Sequence, residues 1–206
     1  MDLSIIVPCH NLENYIIPLL GSLNEQEIEN YEVELIFVCD GCTDNTEDII
    51  ISYPFSNKQI KSIQVYRTSY YACGLARNEG LAHARGTYIW FIDGDDWLID
   101  DRAIEVILNV LNFTEEPVVR FDYNAPSFKS KGIDMMVWQY VFRRDFIGDT
   151  KFLPIQPHED IAFMKAVLPQ LGRKTVLYLD KQLYFYNFKR PGSNMTQFLA
   201  TGHINP

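Results

Sequence analysis

"IWFIDGDDWL", residues 89–98, decides how this chain is read. An apolar run from Ile89 to Ile92 stops at Asp93, Gly94, Asp95 and Asp96. The run reads as a short buried strand bounded by turn residues. Three carboxylates within four residues repel one another at neutral pH, so the arrangement implies a cation beside them. Mg²⁺ and Mn²⁺ favour oxygen ligands and share them between protein carboxylates and substrate phosphates. An Asp-x-Asp at a strand end presents two such carboxylates toward one point, with Gly94 allowing a sharp turn. The competing reading is a solvated acidic turn in which Asp caps the next helix.

Working outward from this strand, short apolar runs alternate with helical patterns. "LSIIVP" (3–8), "VELIFVC" (33–39) and "SIQVYR" (62–67) read as strands, the first ended by Pro8. Between them lie "ENYIIPLLGSLNEQ" (13–26), with Pro18 in its first turn or bending it, and "DNTEDIIISY" (44–53). Asp44 and Glu47 in the second of these form a capping-box pattern with Asp44 as N-cap. "ACGLARNEGLAHARG" (72–86) is a third helix, with Gly86 as its C-terminal cap. Strand–helix alternation with crossovers of this length predicts an α/β fold, a mostly parallel sheet with helices on both faces. Ligands of such sheets bind beyond the carboxyl ends of the strands. The ends here are Pro8-Cys9-His10-Asn11, Cys39-Asp40-Gly41 and Asp93-Gly94-Asp95-Asp96, which should face one crevice.

Beyond residue 98 the pattern is less regular. "DDRAIEVILNVLNF" (100–113) is an amphipathic helix, "PVVRFDY" (117–123) a strand and "HEDIAFMKAVLPQL" (158–171) a further helix. Residues 124–157 are rich in aromatic and basic residues, Gly and Pro, with "MMVWQYVFRRDFI" as their apolar part. "TVLYL" and "LYFYNF" read as two short strands before the loop "KRPGSNM" (189–195). No internal repeat or long linker divides the chain, so residues 1–206 read as one domain.

The 206 residues are 47% hydrophobic and 22% charged, enough apolar content for a sizeable core. A net charge of −9 argues against general nucleic-acid binding. Residues 1–100 carry 16 acidic and 5 basic residues, and residues 101–206 carry 11 and 13. The acidic half suits a metal-bridged ligand, and the other half can supply cations to a phosphate. No apolar run reaches membrane-span length, and the N-terminus lacks the basic and small-residue features of a signal peptide. Both observations predict a cytoplasmic protein with reduced cysteines.

"SIIVPCHNLENYI", "IFVCDGCTDNTEDII", "GLARNEGLAHARGTYIWFIDGDDWL" and "HEDIAF" occur in the order and spacing of family 2 glycosyltransferases. The resemblance covers about residues 3–98, is good again at 158–164 and looser to 196. It implies the GT-A fold, a Rossmann-like nucleotide-diphospho-sugar transferase architecture. Residues 1–98 would be its nucleotide-sugar-binding half and 99–206 its acceptor half. It further implies an inverting, Mn²⁺- or Mg²⁺-dependent transfer from a nucleotide sugar, usually UDP-linked. The acceptor would be a saccharide or lipid-linked saccharide, as in cell-surface polysaccharide or glycolipid synthesis. A homodimer and a peripheral contact at the inner membrane face are compatible with the resemblance.

Residue by residue, the resemblance assigns nucleotide contacts to Pro8, His10, Asn11, Asp40, Arg77 and Asp93. His10 stands where the family usually has Tyr, and Cys39 and Cys42 replace an Asp and a Ser. The resemblance makes Asp95 the main metal ligand and Asp93 a ribose or metal contact, with Asp96 supporting them. Single-displacement inversion needs one general base near the acceptor hydroxyl. Asp160 is that candidate, with Glu159 beside it on the acceptor side. A position in the first helical turn should keep Asp160 ionised through the helix dipole. Lys189 and Arg190 resemble the family's basic loop and would close over the diphosphate, with Gly192 letting the loop fold. Arg143 and Arg144 are candidates for an anionic acceptor or lipid headgroup. The rival readings are an inactive nucleotide-sugar binder of the same fold and a zinc-stabilised module built on Cys9, Cys39, Cys42 and Cys73. A pyrophosphorylase is disfavoured because "PCHNLENY" lacks a Gly-rich phosphate loop. Small buried thiols are the simpler account of the cysteines.

Overall fold

The structure is a computed structural model that describes residues 1–126, 135–188, 190, 191, 193, 196 and 200. Among these, eight strands form one sheet in the order β3-β2-β1-β4-β7-β6-β8-β5. They are β1 (Leu3–Cys9), β2 (Val33–Asp40), β3 (Ile60–Thr68), β4 (Tyr88–Phe91), β5 (Trp97–Leu98), β6 (Val118–Asn124), β7 (Tyr140–Arg143) and β8 (Val176–Phe185). The helices are α1 (Ile16–Asn24), α2 (Thr46–Ser52), α3 (Cys73–His83), α4 (Ala103–Asn112), α5 (Arg144–Ile147) and α6 (Glu159–Val167). β1 pairs in parallel with β2 and β4, β2 with β3, and β6 with β8. β7 is antiparallel to β4 and β6, and β5 to β8.

Every residue of β1, β2 and β4 is buried, which is why these strands read as unbroken apolar runs. Alternate side chains feed two cores. Ile5, Val7, Leu35, Phe37 and Trp90 pack on the side that holds α1 residues Leu19 and Leu20 and α4 residues Ile104, Ile107, Leu108 and Leu111. Ile6, Ile36, Val38, Ile89 and Phe91 face α3 residue Ala76 and α6 residues Phe163, Met164 and Val167. The α4 set has the spacing expected of one helical stripe. Burying each such side chain contributes about 1.5–3 kcal/mol.

Several local expectations are corrected. β1 continues one residue past Pro8. The N-cap of α2 is Asn45, because Asp44 bonds the Thr46 amide and hydroxyl at 3.0 and 2.5 Å and the Glu13 amide at 2.9 Å. Glu47 does not close a capping box; it pairs with Arg67 at 2.6 Å. α3 stops at His83, with Ala84 extended beyond it. Gly86 instead lies where a Cβ would come within 2.5 Å of the Ser4 nitrogen, so close packing on β1 explains it. The two short strands expected between 175 and 188 are one ten-residue strand, β8. Register shifts opposite Phe121, Asp122 and Tyr123 interrupt its pairing and explain the broken apolar pattern. The edge strand β5, two residues long, was not foreseen.

Candidate active site

The carboxyl ends of β1, β2 and β4 lie side by side, with Cys9 opposite Cys39 and the Ile92 amide bonded to the Ile6 carbonyl at 3.0 Å. The acidic turn after β4 therefore opens on the same edge as His10 and Asp40. Gly94 owes its place to close approach: a Cβ there would lie 2.5 Å from Leu12 Cδ1 and 3.3 Å from Ile16 Cδ1. The turn is pressed against the start of α1.

The three aspartates have different surroundings. Asp96 is buried; Tyr184 hydroxyl donates to its Oδ2 at 2.7 Å and the Asn187 amide to its Oδ1 at 2.8 Å. Burial, then Asp95 and Asp93, push its carboxyl well above the ordinary range. Asp96 fixes the turn to the end of β8. Asp93 accepts from Arg77 Nη2 at 2.7 Å, and its own amide donates to the Tyr184 hydroxyl at 3.2 Å. Asp95 pairs with Arg190, whose guanidinium stacks 4.6 Å over the Tyr15 ring. Burial raises the Asp95 carboxyl above its usual range, and Asp93 adds to this against the opposing pull of Arg190.

Arg77 joins this turn to α6. Its side chain is 4% exposed, and Nη1 donates to Glu159 Oε1 at 2.9 Å while Nη2 holds Asp93. Phe152 lies 5.4 Å from the guanidinium carbon, and Nε is buried with no hydrogen-bond partner. One buried cation thus ties the end of β4 to the start of α6 and brings Asp160 to the same cleft. Asp160 accepts from the Ile161 amide at 2.7 Å. Its carboxyl is nevertheless raised to about 6, first by burial and then by Glu159, against the downward pull of Arg77. The carboxyl is still mostly ionised at neutral pH, as expected, but the helix terminus does not set its pKa: desolvation and a like charge outweigh it.

On the other side of the cleft, His10 Nδ1 lies 2.7 Å from the Asp40 carbonyl oxygen. Asn11, at φ 50°, accepts from the Thr43 amide at 2.8 Å. The Asp40 carboxylate accepts from the Thr68 hydroxyl at 2.9 Å, the Tyr70 amide at 2.6 Å and the Ala72 amide at 2.8 Å. It therefore anchors the loop after β3, with about one of its roughly four acceptor positions left over. Pro8 is buried within β1. Lys189 and Gly192 lie outside the described residues. Arg143 and Arg144 stand at the amino end of β4, where Arg143 is opposite Tyr88 and pairs with Asp145 at 2.6 Å. They are at the far end of that strand from Asp93, which removes them from the cleft.

The cysteines divide. Cys9, Cys39 and Cys42 sit near the β1–β2 end, whereas Cys73 opens α3 in the field of Arg77 and Glu159. All four are free, and no group of three or more His, Cys, Asp or Glu side chains among the described residues is placed to hold a metal. A zinc module on the cysteines has no support. The carboxylates that could share an ion with a diphosphate are Asp93 and Asp95, each paired here with an arginine. Five carboxyls, those of Asp93, Asp95, Asp96, Glu159 and Asp160, face only two guanidiniums among the described residues of this cleft, Arg77 and Arg190. Residues that sequence reasoning missed are Tyr15, Tyr71, Tyr184 and Asn187. Tyr15 lies within the first quoted motif but without an assigned role, the other three lie in no motif, and only folding brings them to the cleft.

Comparison with known proteins agrees with this geometry. The sequence model described as "Glycosyl transferase family 2" matches residues 4–168. Poly(ribitol-phosphate) beta-N-acetylglucosaminyltransferase TarS of Staphylococcus aureus (strain MW2) is 30% identical over an alignment of 227 residues, covering 100% of this chain and 38% of TarS. The uncharacterized glycosyltransferase EpsJ of Bacillus subtilis (strain 168) is 28% identical, covering 89% of this chain and 60% of EpsJ. This chain thus spans less than two thirds of the length of these relatives. The crystal structure of S. aureus TarS 1–349 in complex with UDP-GlcNAc superposes with a TM-score of 0.82 at 23% identity, over 95% of this chain and 61% of that one. Mannosyltransferase PcManGT from Pyrobaculum calidifontis, in complex with GDP-Man and Mn²⁺, gives 0.74 at 14% identity, over 100% and 66%. These likenesses establish the α/β fold of the GT-A type.

Proposed function

The chain belongs to glycosyl transferase family 2, and from that premise we propose that its cleft transfers a sugar, with inversion, from a UDP-sugar to an acceptor hydroxyl. The observation that supports the proposal is the Asp93–Arg77–Glu159 linkage, which joins the acidic turn after β4 to the helix that carries Asp160. Residues 1–98 bind the donor through the exposed His10 and Asn11 and through Asp93, with Pro8 and Asp40 shaping the site from beneath, and the remainder of the chain receives the acceptor. Arg77, expected as a nucleotide contact, is instead buried and paired with Asp93 and Glu159. The names of the relatives, a poly(ribitol-phosphate) transferase among them, favour a saccharide or polyol acceptor in cell-surface polymer synthesis.

Asp160 acts as the general base. A carboxyl near pKa 6 is mostly ionised at neutral pH and is a stronger proton acceptor than an ordinary carboxylate. It takes the acceptor hydroxyl's proton as that oxygen attacks the sugar carbon from the face opposite the diphosphate. Glu159 contributes through Arg77, which it holds, and through its charge, which raises the basicity of Asp160. Asp95 and Asp93 are the residues that would hold Mn²⁺ or Mg²⁺. Such an ion, when bound, neutralises charge developing on the leaving diphosphate. Arg190, paired with Asp95, is the described candidate to meet the diphosphate.

The test is sugar release or transfer from UDP-sugars by the wild type and by Asp160→Asn. Turnover in the wild type and its loss in the variant, with donor affinity kept, are expected. Normal turnover in Asp160→Asn would clear that residue of the role. Binding without turnover on any acceptor would favour the inactive nucleotide-sugar binder.

A further inference from the structure

The loop between β3 and α3 carries an aromatic residue that no motif accounts for. Tyr71 has φ 52°, one of three positive-φ non-glycine residues described, and the other two, Asn11 and His158, also border the cleft. Backbone conformations that side chains rarely adopt persist where surrounding contacts hold them, and they concentrate at functional sites. Here the contacts are plain. Asp40 holds the amides on both sides, those of Tyr70 and Ala72, at 2.6 and 2.8 Å. Gln156 Nε2 donates to the Tyr71 carbonyl at 2.9 Å.

The backbone is pinned while the ring is not. The ring is about half exposed and lies against Gly41, where a Cβ would collide with its Cε1. Gly41 itself has φ +63°, so both steric room and backbone geometry require glycine there. The ring centroid is 6.2 Å from that of His10, with the planes at 72°. His10 is in turn fixed by its contact with the Asp40 carbonyl. Two parallel rings holding a flat heterocycle between them stand about 7 Å apart, two van der Waals contacts of about 3.5 Å each. The observed pair is close to that separation and wrongly oriented for it. Holding a base between the two rings requires the Tyr71 side chain to turn off Gly41.

We propose that Tyr71 is the second wall of the nucleobase site, turning off Gly41 to clamp the base against His10. The proposal rests on the donor-site reading above. It assigns to the clamp a share of recognition that Asp40 has little capacity to supply, since three of its acceptor positions already hold the loop. Stacking tolerates any base face, so the clamp contributes affinity, and edge contacts select the base.

The experiment is calorimetric titration of UDP and of inorganic pyrophosphate, each with Mn²⁺, into the wild type and into Tyr71→Ala, Tyr71→Phe and Tyr71→Trp. Removing one stacking side chain should weaken UDP binding about 5- to 150-fold in Tyr71→Ala and leave pyrophosphate binding unchanged. Tyr71→Phe and Tyr71→Trp should restore it, and the indole of Tyr71→Trp should be quenched by UDP. Equal UDP affinity in wild type and Tyr71→Ala, or an equal loss for both ligands, overturns the clamp while leaving the donor site standing. A wild type that binds pyrophosphate but not UDP, or neither, overturns both readings.

Discussion

Transfer should switch off along a single-proton curve as the pH falls through about 6, and Glu159 should set where that curve lies. Asp160 is raised to about 6 by burial first and Glu159 second. A base must be unprotonated to act, so activity follows the ionised fraction, about 90% at pH 7 and about 10% at pH 5. kcat/KM reports the free enzyme, which is the ligand-free state in which Asp160 has this environment. It should fall about tenfold between pH 7 and pH 5, with unit slope below that. Glu159→Gln removes the larger of the two like charges that raise it, Glu159 and Asp93, and leaves Arg77 with one fewer carboxylate to satisfy. The rise from the ordinary 3.8 to about 6 is roughly two units, and Glu159 is its second-largest cause, so its charge supplies on the order of one of them. The acidic limb of Glu159→Gln should therefore move down by about one unit. The assay is initial-rate measurement of UDP release over pH 4.5–9 at subsaturating donor. A profile that is flat across this range, or a Glu159→Gln midpoint that moves upward, would refute the reasoning.

Asp160→Asn should also stabilise the fold at alkaline pH. The folded state holds this proton more tightly than the unfolded chain, so its contribution to stability is full below about pH 4 and is lost as pH rises through about 6. Relative to wild type, the variant should gain up to about 2–3 kcal/mol at pH 8 and nothing near pH 4, as read from urea midpoints. Arg77→Met strands the Asp93 and Glu159 carboxylates and should cost about 3–5 kcal/mol in the same denaturation assay. Asp96→Asn keeps one carbonyl acceptor but turns an NH2 toward the other of its two donors, the Tyr184 hydroxyl or the Asn187 amide, and should cost about 1–3 kcal/mol. Asp96→Ala leaves the Asn187 amide and Tyr184 hydroxyl without their acceptor, and should cost about 2–4 kcal/mol.

The parallel half of the sheet was legible because β1, β2 and β4 are buried on both faces, and short continuous apolar runs set between helices are the mark of such strands. The convergence of Asp40 and the acidic turn on one edge followed from the same topology. Other features depend on partners distant in the chain. Gly86 had the residue type of a helix cap, and only the approach of β1 shows that it serves packing. The ionised state of Asp160 was read correctly from its helix position, but its upward shift was not, because burial and the balance of Glu159 against Arg77 exist only in the folded chain. Tyr15 and Tyr71 carry no periodicity or spacing that sets them apart from the other aromatics. Arg190 was recognised as a candidate cation, but its place on Asp95 was not foreseen.

The most direct measurement is titration of UDP into wild type and Asp95→Ala with Mn²⁺ present and absent. Wild type should bind UDP more tightly with the ion than without it, while Asp95→Ala should show one weaker affinity under both conditions. Wild-type binding that ignores Mn²⁺, or a metal effect that survives in Asp95→Ala, would mean that the acidic turn after β4 does not hold the donor's cation.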